Sequence, residues 1–188
     1  MSIPGWADTA ANSPTSQMLE RCALFFGISM NFKEFNILFK SHVFAMTYQK
    51  QCELAILICK KLFPDYKDFY QVNNWGDPDI LIDAIKLCEL YTEQKVNSKA
   101  LREIHSKINS ITPDTEDFGN ASYALNACAA ISETLEFMTD MDQNHMLNIG
   151  TYLTDTIDFK IQEDDELTEE QINSHPMMIE ARHFLVKV

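Results

Sequence analysis

"TYQKQCELAILICKKLF", residues 47–63, sets Cys52, Ala55, Ile56, Cys59 and Phe63 at spacings of three and four, with lysines and glutamines between them. That spacing gathers the apolar side chains on one face of a helix, whereas a half-buried strand would need strict alternation. "NFKEFNILFKSHVF" at 31–44 repeats the pattern with Phe32, Phe35, Phe39 and Val43. Outward from these two stretches there is no sustained period of two, and no Asn-Gly or Asp-Gly turn joins β-rich runs. The predicted fold class is all-α.

Helix boundaries are written in the loop residues. In "NNWGDPDILIDAI", residues 73–85, Asp77 before Pro78 reads as an N-cap followed by proline at the first helical position, where no hydrogen bond is sacrificed. Gly76 supplies the turn, Trp75 is expected to pack, and Asp79 is a first-turn acid favoured by the helix dipole. Ile80, Leu81, Ala84, Ile85, Leu87 and Cys88 form the apolar face. A capping Asp77 is preferred to a catalytic one because no His, Lys or Ser partner accompanies it.

By the same logic Pro64 is expected to end the 47–63 helix and open a short turn through "DYKDFY". Ser98 is expected to cap "KALREIHSKINSI", which Pro113 closes, and Asn120 to cap "ASYALNACAAISETLEFM", whose Ala124, Ala127, Cys128 and Ile131 permit close helix contact. "QNHMLNIGTYLTDTIDFKIQ" is predicted helical with Gly150 tolerated inside it. "TEEQ" at 168–171 is a capping box, and Pro176 opens a last helix. The result is a compact single-domain bundle of about eight helices, with the stripes at 47–63, 78–91 and 120–138 at its centre.

A chain of 188 residues with 46% hydrophobic content is one domain by length, able to remove roughly 70% of its unfolded surface from water. The five cysteines, Cys22, Cys52, Cys59, Cys88 and Cys128, form no CxxC pair and stand among apolar residues. They read as small core residues in a reducing compartment. The longest apolar runs, such as "LAILIC" at 54–59, fall far short of the roughly 20 residues that cross a membrane. "MSIPGWADTAANSPTS" lacks the basic n-region and apolar core of a signal peptide, so the expected location is the cytoplasm.

Charge is segregated. Residues 30–110 hold eleven Lys/Arg against ten Asp/Glu, whereas residues 111–188 hold three against sixteen. The net charge of −13 therefore sits in the C-terminal part. Such a field repels phosphate and anionic lipid, so neither nucleic acid nor membrane is an expected partner.

No stretch carries the constellation of a known catalytic chemistry. His42, His105, His145, His175 and His183 lie on separate predicted helices, and no serine or cysteine occupies a strand-turn-helix elbow. Phosphate-cradling glycine loops are absent. Glu180 and His183 make one Glu-x-x-His, but a di-iron bundle needs that motif twice plus two further carboxylates. Asp155 and Asp158, near "EDDE" at 163–166, lack the alternating ligands and glycine of an EF-hand loop and read as a solvated helix end. No metal, cofactor or enzymatic activity is expected.

The order of landmarks resembles a known family. "ICKKLFPDYKDF", "NNWGDPDILIDAI", "ITPDTEDFGNASYALNACAAISETL", "TYLTDTIDF" and "LTEEQINSHPMMIEA" follow one another as in the YjaG-like bacterial proteins, a domain of unknown function. The resemblance covers about residues 31 to 184 and implies an α-helical bundle without assigning a catalytic residue. It divides the chain into an N-terminal extension, residues 1–29, and a helical domain, residues 30–188. The extension is expected to be poorly ordered or loosely docked, with "QMLERCALFF" able to form a short helix.

Two functions follow as expectations. In the first, a non-enzymatic interaction protein uses Asp155, Asp158, Glu163, Asp164, Asp165, Glu166, Glu169 and Glu170 to bind a basic protein, as an immunity or antitoxin-type inhibitor of a nuclease would. In the alternative, the bundle binds a small ligand, or carries an unrecognised enzyme site, between its helices. A flat acidic face would favour the first and a deep pocket with convergent polar groups the second.

Overall fold

The computed structural model describes residues 30–93, 97–163 and 166–187; the extension of residues 1–29 lies outside them. Eight helices account for most of the described residues, which contain no strand. They are α1 (Phe32–Ala45), α2 (Tyr48–Asn73), α3 (Pro78–Glu93), α4 (Ser98–Ile111), α5 (Ser122–Asp140), α6 (Gln143–Ile161), α7 (Glu169–Ser174) and α8 (Pro176–Lys187).

The centre is α2 packed along α5, with α6 folded back on α5 through the two-residue turn Met141–Asp142. α5 is packed through small side chains, Ala124, Ala127, Cys128 and Ala130, all fully buried, with the larger Ile131 buried beside them. Cys59 Sγ lies 3.2 Å from Thr134 Oγ1 and donates to the Ala130 carbonyl at 3.7 Å, so even the polar atoms at this seam are paired. The four described cysteines are buried. Burial pushes the thiols of Cys59 and Cys128 up to about 12, the behaviour of core residues and not of nucleophiles.

The stripe on α2 is buried as predicted at Cys52, Ala55, Ile56 and Cys59, but Phe63 is only half-buried and Leu62 takes its place inside. On α1, Phe35, Phe39 and Val43 are buried, whereas Phe32 is exposed. Pro64 does not end α2, which runs on for another nine residues to Asn73. A proline inside a helix costs about 3 kcal/mol. Beyond it, Tyr66 and Phe69 are buried, and each such ring returns about 1.5–3 kcal/mol. The Tyr66 hydroxyl also donates to the Ile111 carbonyl at 3.0 Å and accepts from the Asp77 amide at 3.2 Å. Tertiary packing thus outweighs the break.

Asp77 caps α3 as expected, its Oδ1 accepting from the Asp79 amide at 3.0 Å. Gly76 adopts φ 95°, and Trp75 packs on Phe69 and Phe118. The aromatic–glycine–aspartate stretch is a structural joint. Two caps differ from prediction. Asn97, not Ser98, caps α4, accepting from the Lys99 amide at 2.9 Å. Ala121 stands at the start of α5 with no side-chain cap, because the Asn120 side chain accepts from Asn73 Nδ2 at 3.2 Å. The capping box at Thr168 and Gln171 and the helix start at Pro176 are as predicted. Gly150 is more than tolerated: a Cβ there would overlap the Phe39 ring.

Candidate functional site

Two groups stand out among the sixteen acids of the C-terminal part. The first contains the residues singled out from sequence. Asp155 and Asp158 lie on α6, one turn apart, and with Glu169 at the start of α7 they line a cleft of about 480 Å³ closed by Phe32, Asn173, Met178 and Arg182. Glu163, Glu166 and Glu170 are exposed on the segment joining α6 to α7 and on α7 itself, and Asp164 and Asp165 lie outside the described residues. Asp155, Asp158 and Glu169 are therefore brought together, while Glu163, Glu166 and Glu170 stand outside the lining of the cleft.

The expectation of a solvated helix end fails for Asp155. It is half-buried, and burial together with the neighbouring Asp158 holds its carboxyl above the ordinary range. Arg182, buried in the wall, does not cancel this charge at contact distance. Its Nη1 donates to the Met30 carbonyl at 2.5 Å, its Nη2 to Asn173 Oδ1 at 2.7 Å, and its guanidinium covers the Phe35 ring. Burial lowers the arginine against the favourable fields of Asp158 and Glu169. Lys160, another cation of this half, is engaged by Asp65 at 2.5 Å. The two terminal nitrogens of Arg182 are thus turned to Met30 and Asn173 and its buried Nε has no hydrogen-bond partner among the described residues, so no hydrogen bond pairs it with the carboxylates of the cleft.

The second group was not foreseen. Glu133 and Glu136, one turn apart on α5, face His145 in the first turn of α6, with His145 Nδ1 2.5 Å from Glu133 Oε2 and 3.7 Å from Glu136 Oε2. The other ring nitrogen, Nε2, is 3.1 Å from Asp140 Oδ2. Asn148 Nδ2 donates to Glu133 Oε2 at 3.2 Å, and His105 Nε2, from α4, lies 3.6 Å from Glu136 Oε1. Glu136 therefore stands between two histidines that are forty residues apart in the chain.

The turn builds this arrangement. Met141 closes α5 with φ 63°, the Asp142 side chain caps α6 by accepting from the Asn144 amide, and the Asp142 amide donates to Asp140 Oδ1 at 2.8 Å. That amide, with His145, holds Asp140 below the usual carboxylate range. Burial pulls His145 down, but its bonds to Glu133 and Asp140 prevail and hold the imidazole above its ordinary value. The signal available in sequence was Glu133-x-x-Glu136 followed nine residues later by a histidine across a helix-ending turn. Separate helices for the histidines did not mean separate places. By contrast Glu180 is exposed, so Glu180 and His183 do not both project inward as a bundle metal site requires.

No helix of the described residues is long and apolar enough to cross a membrane. No curated protein matches the chain. A crystal structure of a DUF416 family protein from Shewanella baltica OS155 has the same fold, with a TM-score of 0.70 and 22% identity over 79% of this chain and 82% of that one. Residues 38–188 match the family described as "Protein of unknown function (DUF416)". Membership in a family of unknown function and the helical fold are thereby shown. The chain belongs to the DUF416 family, whose function is unknown.

Proposed function

We propose that this DUF416 protein, YjaG-like in the order of its five segments, is a non-enzymatic cytoplasmic interaction protein whose acidic C-terminal part binds a basic protein. The observation that carries the reading is the cleft in which Asp155, Asp158 and Glu169 converge while the terminal nitrogens of Arg182 bond Met30 and Asn173 instead. A lysine or arginine side chain entering it would gain charge-assisted hydrogen bonds from the half-buried Asp155 and Asp158. The exposed Glu163, Glu166 and Glu170 nearby would steer a cationic surface toward the cleft and raise the association rate. An immunity or antitoxin-type inhibitor is the specific form proposed, because a nuclease must carry a basic phosphate-binding surface that such an acidic face can cover.

The volume of the cleft favours a second reading. A volume of about 480 Å³ lies within the range of small-molecule sites, so a free organic cation is the alternative occupant. One experiment separates the two. Basic proteins captured at low salt are purified, and their association with the wild-type chain is timed across a salt series and against an Asp155→Asn, Asp158→Asn double variant. A rate that falls steeply with salt, and a complex that dissociates faster from the variant, are expected. A partner held equally by both proteins would refute the proposal. Calorimetric binding of a small diamine with no protein partner would replace it by the second reading.

A further inference from the structure

We infer that Glu133, Glu136 and His145 form a binding site for a divalent first-row transition-metal ion, zinc or a close neighbour, at the side of the α5–α6 hairpin away from the acidic cleft's lining. One ligand atom from each, His145 Nδ1 and a carboxylate oxygen of Glu133 and of Glu136, lies within 4.8 Å of the others. Three ligands about 2.0–2.2 Å from one ion must be gathered in this way. An ion between them would replace the present contact of His145 Nδ1 with Glu133 Oε2.

The surroundings match what a metal-binding histidine requires. Such a residue donates its other ring N–H to a carboxylate, which fixes the tautomer and leaves the remaining nitrogen free to ligate. Asp140 is placed to accept from His145 Nε2 at 3.1 Å, leaving Nδ1 toward the two glutamates. Glu133 is itself held by Asn148 Nδ2. Glu133 and Glu136 flank Thr134 and Leu135, both buried in the core, so the ligands stand on a rigid part of α5.

Charge and donor type choose the ion. Three carboxylates, Glu133, Glu136 and Asp140, surround one imidazole, so a divalent cation compensates what a single positive charge on His145 leaves over. Imidazole with carboxylates suits zinc, manganese, iron or nickel, whereas calcium and magnesium prefer oxygen ligands alone and copper(I) prefers sulfur. Affinity in this series rises from manganese to a maximum at copper(II) and falls again at zinc, so zinc and its neighbours cobalt and nickel are bound more tightly than manganese. A cleft of about 420 Å³ between α4 and α5 adjoins the site, lined by Arg102, His105, Glu136, Thr139 and Asp140 among others. Three protein ligands beside an open cleft leave a fourth position for water, an external ligand or His105, whose Nε2 is already 3.6 Å from Glu136.

The test is equilibrium dialysis of the chelator-treated full chain against zinc, with cobalt(II) absorption as a second readout of ligand type. One equivalent is expected, with affinity reduced more than about 100-fold in His145→Gln and Glu133→Gln and about 10–100-fold in Asp140→Asn, the range for residues that orient a ligand. Glu136→Gln, at a half-exposed position, covers the case in which His145→Gln does not fold. Glu180→Gln should bind as the wild type does. Binding weaker than millimolar, or an equivalent retained unchanged by both Glu133→Gln and Glu136→Gln, would overturn the assignment.

Discussion

Tyr66 and Gly76 are built for each other. A Cβ on residue 76 would overlap the Tyr66 hydroxyl, and residue 76 holds φ 95°, a conformation that favours glycine. The same hydroxyl bonds the Ile111 carbonyl and the Asp77 amide, so one phenol ties the long second half of α2 to the start of α3 and the end of α4. Tyr66→Phe should lower stability by about 1–3 kcal/mol, the cost of leaving buried polar groups unpaired. Gly76→Ala should cost at least as much through strain and overlap. The double variant should lose less than the sum, since removing the hydroxyl opens room for the methyl group. Urea midpoints with an unchanged slope measure all three; strict additivity would contradict the contact.

At Gly150 the sign of the effect is the test. Glycine to alanine within an ordinary helix gains about 0.8–1.0 kcal/mol. Here the methyl group would collide with the Phe39 ring, where α1 rests on α6, and overpacking of that kind costs about 1–3 kcal/mol. Gly150→Ala is therefore expected to lower the urea midpoint, and Phe39→Leu in the same chain to recover part of the loss. A stabilised Gly150→Ala would show that α1 can move away freely.

Asp77→Ala should cost about 1 kcal/mol, the usual loss for an N-cap, while zinc affinity and association with a basic partner stay as in the wild type. Loss of either activity at unchanged stability would make Asp77 functional despite its bond to the Asp79 amide.

These joints also mark what was legible in the sequence. Helical stripes and caps are local, so the centre of the bundle, the Asp77–Pro78 start and the Thr168–Gln171 capping box could be read directly. Pro64 could not, because what carries α2 past it is the burial of Tyr66 against residues forty-five positions away. Asn120 was misread for a similar reason: a side chain able to cap is engaged by Asn73 of another helix. The acidic group near α7 was visible as composition, yet its convergence into a cleft with Arg182 needed the placement of α8. Nothing in composition pointed to Glu133, Glu136 and His145. They meet only because Met141 and Asp142 reverse the chain within two residues.

Asp155 gives the acidic cleft a measurable signature. Its carboxyl is raised by burial and by the charge of Asp158, so the folded chain holds that proton more tightly than the unfolded one. By linkage, the contribution of this group to stability is fully present below the unfolded value, about 3.9, and is lost as pH rises through the raised folded value. At neutral pH the ionised carboxylate is thus a liability in the unliganded protein. Asp155→Asn, which removes the charge and nearly keeps the shape, should have the higher urea midpoint at pH 7, and its advantage should shrink as pH falls through the raised folded value toward 4. The same variant should bind a basic partner less well, because a cation in the cleft stabilises the carboxylate that the empty cleft disfavours. A lower midpoint for Asp155→Asn at pH 7 would mean that the carboxylate is already compensated within the chain, and the cleft would then have no charge left to offer.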